Sequence, residues 1–374
     1  MSRARVFQPI SVRSVTVRNR LWMPPMCMYS AVSEGANLGA PADWHRHHYF
    51  TRALGGVGAV IVEATGVTPE GRISSHCLSL HDDALIPAFA SLADVIHQGG
   101  AAAFIQLGHA GRKGSRPQGW LDHGPLPIGE GGWETLAPSP IPFAEGEPTP
   151  HELSEEEIWQ TVEAFAQAAR RAVEAGFDGV QLHGAHGYLI HQFLSPASNQ
   201  REDAWGGSLE GRTRFVREVT RRVRQAIGDK ALLIRLSATD WTVENPADGR
   251  PGWTLEETVA LTSLLAEDGM DMFCMSSGGS YPDAKIPAGP GYQVFGAQAV
   301  RASLREQGVE APVSVCGLIQ APEQGEQILA TGQADVVEVA RGLLTDPMLP
   351  QLWRSRLRCE PELPGQYVRG LKRL

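Results

Sequence analysis

Cysteine is scarce in this chain of 374 residues, which contains only five copies of it. They stand far apart, at positions 27, 77, 274, 316 and 359. No two of them have the spacing of a zinc knuckle or of an iron–sulfur ligand run. An odd and scattered set of cysteines favours reduced thiols, and we therefore expect a cytoplasmic protein.

Long apolar runs and an excess of positive charge are also absent. No stretch approaches the roughly 18 apolar residues of a membrane-spanning helix, and residues 1–9 lack the apolar run of a signal peptide. The 33 Lys and Arg residues are outnumbered by 42 Asp and Glu residues, which gives a net charge of −9 and argues against nucleic acid or an anionic membrane as partner. Hydrophobic residues make up 42% of the chain and charged residues 20%, so the composition predicts a folded protein with a large core.

A dinucleotide-binding fingerprint is missing as well. The closest pattern, GGVG at residues 55–58, precedes a predicted strand instead of following one, and it predicts a helix-to-strand turn. Residues 108–115 resemble a phosphate-binding loop without its Gly-Lys-Ser/Thr order. Residues 275–279 lack the glycine that a nucleophile elbow places before its serine. We therefore predict neither of these two sites.

Eight short apolar or β-branched runs alternate with amphipathic stretches along the chain. The runs predict strands at 21–26, 59–63, 103–107, 179–183, 232–236, 272–275, 313–316 and 336–339, and the stretches predict helices at 155–175, 209–227, 255–268 and 322–330. Ser154, followed by three glutamates, predicts the start of the first of these helices. Such alternation is typical of parallel βαβ units, either in a closed (β/α)8 TIM barrel or in an open doubly wound sheet. The count of eight strands and the missing fingerprint favour the α/β barrel.

Three segments exceed what a bare barrel needs. Residues 6–18 alternate in hydropathy and predict an N-terminal hairpin that closes the bottom of the barrel. Residues 117–150, after the third strand, hold eight prolines and six glycines, and their aromatic residues Trp120, Trp133 and Phe143 indicate an ordered lid or rim. Residues 360–374 form a C-terminal tail. Because the strand–helix rhythm resumes after the insertion, we expect one domain over residues 1–374.

Polar side chains cluster where the predicted strands end, which is the face of a barrel that carries its chemistry. The fourth strand leads into HGAHGY at residues 183–188, and the fifth and eighth strand ends carry Arg235 and Arg341. The two arginines suit an anionic ligand such as a phosphate. The alternative is that Arg341 caps a helix or pairs with Asp346.

His183 and His186 allow three interpretations. As metal ligands they would need further ligands from another strand end, where Glu63, with apolar neighbours, is the nearest acid. They could instead be packed histidines without a role, or a pair of donors that grip a carbonyl or nitro oxygen. Tyr188, in the same turn, can donate a proton to a carbanion. Cys27 has no base beside it, which favours packing against a cofactor over covalent catalysis.

Several motifs, in order along nearly the whole chain, resemble the old yellow enzyme family. They are PMCMYS (25–30), IQLGHAGR (105–112), HGAHGYL (183–189), QFLSP (192–196), NQR (199–201) and WGGS (205–208). The residue type at position 27 resembles the pattern of the thermophilic-like bacterial subgroup, which has cysteine there. Yeast-type members usually have threonine at this position. The resemblance implies a (β/α)8 barrel that binds FMN non-covalently.

The resemblance also implies which residues form the site. FMN contacts would fall on Pro24, Pro25, Met26, Cys27, Ala64, Gln106, Arg235, Gly317, Ala340 and Arg341, the last three at the phosphate. His183 and His186 would bind the activating group of the substrate, and Tyr188 would donate the proton. Tyr29 would line the pocket. Arg369 would enter it from a neighbouring subunit, which implies a homodimer or homotetramer.

The implied activity is that of an NADPH dehydrogenase or ene-reductase. NADPH, with NADH as the other possible reductant, would reduce FMN, and FMN N5 would deliver hydride to the C=C bond of an enone, maleimide or nitroalkene. Tyr188 would then protonate the product. The alternative from the residues alone is a metal- or phosphate-dependent lyase or hydrolase on the same barrel. Both the oxidoreductase and the lyase or hydrolase would act on small molecules, and neither function needs nucleic acid or a membrane.

Overall fold

The computed structural model describes residues 4–121, 124–245 and 247–373. Residues 1–3, residues 122 and 123 of the predicted insertion, and residue 374 of the predicted tail lie outside this part. Within the described ranges, no helix is both long enough and apolar enough to cross a membrane.

Eight parallel strands form a barrel, which confirms the predicted fold class. The strands of the structure are β1 (Ile10–Val12), β2 (Val15–Val17), β3 (Leu21–Trp22), β4 (Ala59–Gly66), β5 (Ala102–Gly108), β6 (Leu136–Ala137), β7 (His151–Glu152), β8 (Gly179–Gly184), β9 (Ala231–Ser237), β10 (Met272–Ser276), β11 (Val313–Val315) and β12 (Val336–Glu338). The barrel has the strand order β3-β12-β11-β10-β9-β8-β5-β4. Met23, directly after β3, closes the ring by pairing with β4: its N–H donates to Ala59 O at 2.9 Å, and its carbonyl accepts from Ile61 N–H at 3.0 Å.

Helices follow most strands and cover the outside of the barrel. They are α1 (Asp43–Gly55), α2 (Ile86–Gln98), α3 (Glu155–Glu174), α4 (Leu189–Leu194), α5 (Leu209–Ile227), α6 (Leu255–Glu267), α7 (Val294–Glu306), α8 (Pro322–Ala330), α9 (Arg341–Thr345) and α10 (Leu349–Arg356), with short 3-10 helices at Arg5–Phe7, Asp83–Leu85, Gly111–Lys113 and Gly365–Arg373. The four predicted helices are confirmed to within one residue at each end. Ser154 caps α3 as predicted, because its hydroxyl accepts from Glu157 N–H while the Glu157 carboxylate accepts from Ser154 N–H.

The two-residue period of the strands decides which side chains fill the barrel. Trp22, Phe104 and Leu233 are fully buried in one apolar cluster that draws on alternate positions of several strands. Val12 and Val17 of the β1–β2 hairpin belong to the same cluster, so the predicted hairpin is confirmed and forms the floor of the barrel.

Further along the strands the inward positions become polar. Two residues beyond members of the apolar cluster stand Gln106 on β5, Arg235 on β9 and Glu338 on β12, all nearly fully buried. The parallel arrangement gathers these side chains at one end of the barrel, where the site lies.

Two predicted strand ends are wrong by more than one residue. The first strand stops at Trp22, because Pro24 and Pro25 have no N–H to donate to a neighbouring strand. β4 continues three residues past its predicted end, with a shift of register between Val62 and Thr65. A bulge of this kind changes the direction of a side chain next to a site.

The insertion at 117–150 packs on the rim through the three aromatic residues that the sequence singles out. Trp133 donates its Nε1–H to Glu70 O at 2.8 Å. The Lys113 ammonium lies 4.4 Å from the ring centre of Phe143. Trp120 itself is largely exposed, and its ring contacts another aromatic ring of the rim edge-on. These contacts fix the described part of the insertion over the carboxyl end of the barrel.

Candidate active site

Every predicted site residue except Arg369 lies at or just beyond the carboxyl end of a barrel strand. The predicted residues therefore meet on one rim, as expected for this fold. Arg369 is exposed, lies in the 3-10 helix Gly365–Arg373 and lines none of the cavities described below.

Two histidines stand side by side where β8 ends. The ring centres of His183 and His186 are 5.2 Å apart, with the planes nearly perpendicular. His186 Nε2 lies 2.7 Å from Ser276 Oγ at the end of β10. The side chain of His183 has no hydrogen-bond partner in the described part of the chain, although its Nδ1 is buried. A buried polar atom without a protein partner calls for an explanation, and a ligand bound beside the ring would supply one.

Both imidazoles are held neutral by their surroundings. Burial lowers the pKa of His183 well below its usual value, and the guanidinium of Arg235 lowers it further. Burial also lowers the pKa of His186, with a smaller contribution from its neighbour His183. A neutral imidazole still carries one N–H donor, so the pair can bind an acceptor oxygen without carrying charge.

Tyr188 stands beside this pair in the following turn. Its ring centre is 4.8 Å from that of His183. Burial raises the pKa of the phenol well above its usual value, so the hydroxyl stays protonated. Ala64, in the bulge of β4, lines a small cavity together with His183 and Tyr188. The arrangement therefore places a protonated O–H next to two neutral imidazoles.

The segment after β3 forms one wall of the site. It is tied to Glu63, whose carboxylate accepts from Met28 N–H at 2.9 Å and from the Tyr49 hydroxyl at 3.1 Å, with His45 Nε2 at 3.2 Å. Glu63 is thus a fully buried anchor of this wall with polar partners, and not the isolated acid that its apolar sequence neighbours suggest. In the described residues, no three His, Cys, Asp or Glu side chains are grouped as metal ligands.

Cys27 and Tyr29 lie on the same wall. A hydrogen bond with Cys77, together with burial, raises the pKa of the Cys27 thiol well above its usual value. A protonated thiol is a weak nucleophile. Tyr29 lines a cavity of about 200 Å³ with Lys113 and Tyr188.

A cavity of about 660 Å³ opens between the ends of β9 to β12. It is lined by His186, Arg235, Gln293, Gly317, Ala340 and Arg341, with further residues around them. Its volume falls within the roughly 300–1,000 Å³ of small-molecule sites. Gly317 has a φ of 110°, and a Cβ there would lie 2.9 Å from Gln293 Oε1, so this wall requires glycine. The exposed guanidinium of Arg341 has neither Asp346 nor any other described residue as hydrogen-bond or ion-pair partner.

The floor of this cavity is a buried polar layer. Arg235 Nη1 donates to Glu338 Oε2 at 3.2 Å and Nη2 to Cys316 Sγ at 2.9 Å, while Nε has no partner. Gln106 donates its Nε2–H to Gln181 Oε1 at 2.7 Å in the same layer. The charge of Arg235 is therefore compensated by the protein, and its Nε–H remains for a ligand.

Three side chains of the site are not predicted from the sequence. Lys113 donates from Nζ to His186 O at 2.8 Å. In the sequence it stands within residues 108–115, which resemble a phosphate-binding loop without its Gly-Lys-Ser/Thr order. Gln293 donates to Ser276 Oγ at 3.1 Å from the residue before α7, where nothing local marks it. Glu338 does carry a signal, since an inward acid on an otherwise apolar strand needs a buried partner.

The chain is similar to known proteins in sequence and in fold. Residues 5–360 match the family described as NADH:flavin oxidoreductase / NADH oxidase. The chain is 42% identical over 365 residues to a protein of Geobacillus thermodenitrificans named NADPH dehydrogenase, covering 98% of each chain. It resembles the solved old yellow enzyme homologue from Zymomonas mobilis at 25% identity with a TM-score of 0.74, covering 96% of this chain and 93% of that one. A solved 2-naphthoyl-CoA reductase matches at 27% identity with a TM-score of 0.81, covering 95% of this chain but 52% of that one.

The family match spans nearly all of the eight-stranded barrel and its rim. Together with the named relative and the solved old yellow enzyme homologue, it confirms the predicted resemblance to old yellow enzymes. The chain belongs to the NADH:flavin oxidoreductase / NADH oxidase family.

Proposed function

We propose that the protein is an FMN-dependent NADPH dehydrogenase that reduces the C=C bond of activated alkenes. Its family makes it an oxidoreductase with FMN as cofactor and NADPH as reductant. This assignment replaces the lyase or hydrolase alternative. The observation that carries the choice of substrate is the unpartnered His183 beside His186 and Tyr188.

The residues of the rim fit FMN. The 660 Å³ cavity ends at Arg341, a cation with no partner among the described side chains, as a phosphate requires. The buried Nε of Arg235 is a further donor without a partner, at the floor of the same cavity. Gly317, Ala340 and Arg341 would hold the phosphate, and Pro24, Pro25, Met26, Cys27, Ala64, Gln106 and Arg235 would hold the ring system without a covalent bond.

When bound, FMN supplies the hydride that it has taken from NADPH. The protein's own contribution begins with His183 and His186, which we assign to the carbonyl or nitro oxygen of the acceptor. Negative charge develops on this oxygen as the β-carbon receives hydride, and donors aimed at such a position lower the barrier. Neutral donors suit a neutral acceptor, because a charged imidazolium would bind small anions where the acceptor should bind.

Tyr188 is assigned as the proton donor for the α-carbon. The raised pKa of its phenol keeps the proton in place until a strongly basic carbon forms beside it. Tyr29 lines the cavity that it shares with Tyr188. Enones, maleimides and nitroalkenes combine an acceptor oxygen with an adjacent C=C bond, and we propose them as the substrate class. NADH is the second reductant to compare with NADPH.

The decisive experiment is a pair of anaerobic spectra of the purified holoprotein. NADPH should bleach the flavin absorbance, and cyclohexenone, N-methylmaleimide or a nitroalkene should restore it, with the saturated product detected by gas chromatography. If NADPH bleaches the flavin and none of the three acceptor classes restores the colour, the substrate assignment is wrong.

We further propose a cytoplasmic homodimer or homotetramer with one barrel domain per chain, in which Arg369 enters a neighbouring subunit's site. Tyr367 and Val368, next to it, are about half exposed, which leaves an aromatic and an aliphatic side chain for a partner surface. Truncation after Pro364 should weaken association in analytical ultracentrifugation and raise the KM for the acceptor. If both quantities are unchanged, the tail takes no part in the site.

A further inference from the structure

The turn that carries His186 and Tyr188 has an unusual backbone. His186 has a φ of 61° and Gly187 a φ of 73°, two consecutive residues in the left-handed region. A non-glycine residue keeps this conformation only where its surroundings fix it. The peptide groups of His186 are fixed by Ser237 Oγ, which accepts its N–H at 3.0 Å, and by Lys113 Nζ, which donates to its carbonyl at 2.8 Å.

The N–H of this second peptide group belongs to Gly187 and is fixed by His191 on α4. The Gly187 N–H donates to His191 Nδ1 at 2.9 Å, and both residues are buried. The Gly187 carbonyl accepts from Gln192 Nε2 at 2.7 Å. His191 therefore holds the middle of the turn through a ring nitrogen that must accept a hydrogen bond and so cannot carry the hydrogen.

Asp240, on the loop after β9, faces the other ring nitrogen. Its Oδ1 lies 3.3 Å from His191 Nε2, and neither atom has a further hydrogen-bond partner in the described part of the chain. Asp240 Oδ2 accepts from Ser195 Oγ–H at 2.6 Å and from Trp253 N–H at 2.8 Å. All of these side chains are at most 1% exposed. The neutral ring thus carries its hydrogen on Nε2, next to the carboxylate.

We propose that Asp240 and His191 are positioning residues for the reaction, an inference that rests on the proposed function. Asp240 selects the Nε2–H tautomer of His191. This tautomer leaves Nδ1 free to accept the Gly187 N–H, and that bond holds Tyr188 and His186 at the separation from the substrate that their roles require.

The substitution Asp240→Asn tests the tautomer directly. Ser195 and Trp253 both donate to Oδ2, so the amide oxygen takes that place and the NH2 group faces His191 Nε2. Nε2 must then accept, the ring hydrogen moves to Nδ1, and it meets the Gly187 N–H donor to donor. We expect re-oxidation of the reduced flavin by cyclohexenone to slow by about 100-fold, the size of effect that a displacement of about 1 Å at a reacting group produces. FMN content should be unchanged.

A spectroscopic measurement that needs no substrate complements the re-oxidation rate. The side-chain ¹⁵N shifts of His191 should report hydrogen on Nε2 in the native protein and on Nδ1 in Asp240→Asn. The pair His191→Asn and His191→Leu adds a test that does not depend on the folding of Asp240→Asn. Asparagine offers an oxygen to the Gly187 N–H and leucine does not, so the asparagine variant should retain the faster re-oxidation.

Asp178→Asn is the matched control. Asp178 lies just before β8, at the opposite end of the same strand, 2.9 Å from His97 Nε2, and it accepts from Ala103 N–H at 2.8 Å. Its variant should re-oxidise at the native rate. The proposal is overturned if Asp240→Asn matches the native rate or native tautomer, or if His191→Leu equals His191→Asn. If instead no acceptor re-oxidises the native protein, the proposed function fails, and the ¹⁵N shifts alone still decide whether Asp240 sets the tautomer.

Discussion

Replacing His183 by alanine should separate substrate activation from protein stability. The His183 side chain has no hydrogen-bond partner in the described chain, so its removal leaves no protein group unpaired. The loss therefore falls on the acceptor oxygen. A single donor to a developing oxyanion typically contributes about 2.7–4 kcal/mol, which is about 100- to 1,000-fold in rate. The residue is only 5% exposed, and water has little access with which to replace the lost donor.

The assay measures only the step in which the histidines act. The flavin is reduced chemically under anaerobic conditions, mixed with cyclohexenone in a stopped-flow instrument, and followed at the flavin absorbance. His183→Ala should lower the limiting rate by at least about 100-fold, and the double variant His183→Ala/His186→Ala should nearly abolish the reaction with FMN still bound. His151→Ala, an exposed histidine of β7, is the control. A native rate in His183→Ala, or a defect explained entirely by loss of FMN, would refute the assignment.

Three further predictions follow from the same geometry. Tyr188→Phe should slow the oxidative half-reaction with cyclohexenone by about 100-fold or more while NADPH still reduces the flavin at the native rate; equal slowing of both half-reactions would make Tyr188 a positioning residue. Cys27→Ala should stay active with a shifted flavin potential in a redox titration, because the raised pKa of the thiol makes it a poor nucleophile; an inactive variant that keeps FMN would restore covalent catalysis. Acid should destabilise the fold, because burial lowers the pKa of His109 to about 4 and the unfolded chain binds a proton below about 6.5 that the folded chain refuses. Urea unfolding should lose about 3 kcal/mol from this residue alone between pH 7 and pH 4, and a flat profile would contradict it.

The barrel could be predicted because its signals are local. Each strand is a short apolar run, and the start of a helix such as α3 is marked by a capping residue and acidic residues in the first turn. The ends of the strands were harder to predict from the sequence, for a physical reason. The bulge between Val62 and Thr65 exists only where β4 meets β5, so no property of the β4 sequence alone specifies it.

The site was predictable where its residues share one strand end, as His183, His186 and Tyr188 do. It was not predictable where loops from different strands meet. Lys113 reaches the carbonyl of His186 across 73 residues of sequence, and His191 reaches Asp240 across the gap between α4 and the loop after β9. These contacts depend on the closed barrel, which brings the ends of neighbouring strands together. A basic run and a histidine on a short helix carry no such information by themselves.

The charges of the site are arranged so that the hydrogen bonds to the acceptor oxygen strengthen as the reaction proceeds. Arg235 is a full cation next to the histidines, but Glu338 compensates it within the floor of the site. Its remaining field helps to keep His183 neutral. A neutral acceptor therefore meets two uncharged donors, whose hydrogen bonds strengthen only as the oxygen becomes negative. Interactions that grow between ground state and transition state are the ones that raise the rate, and a doubly protonated pair would instead hold anions before any reaction began.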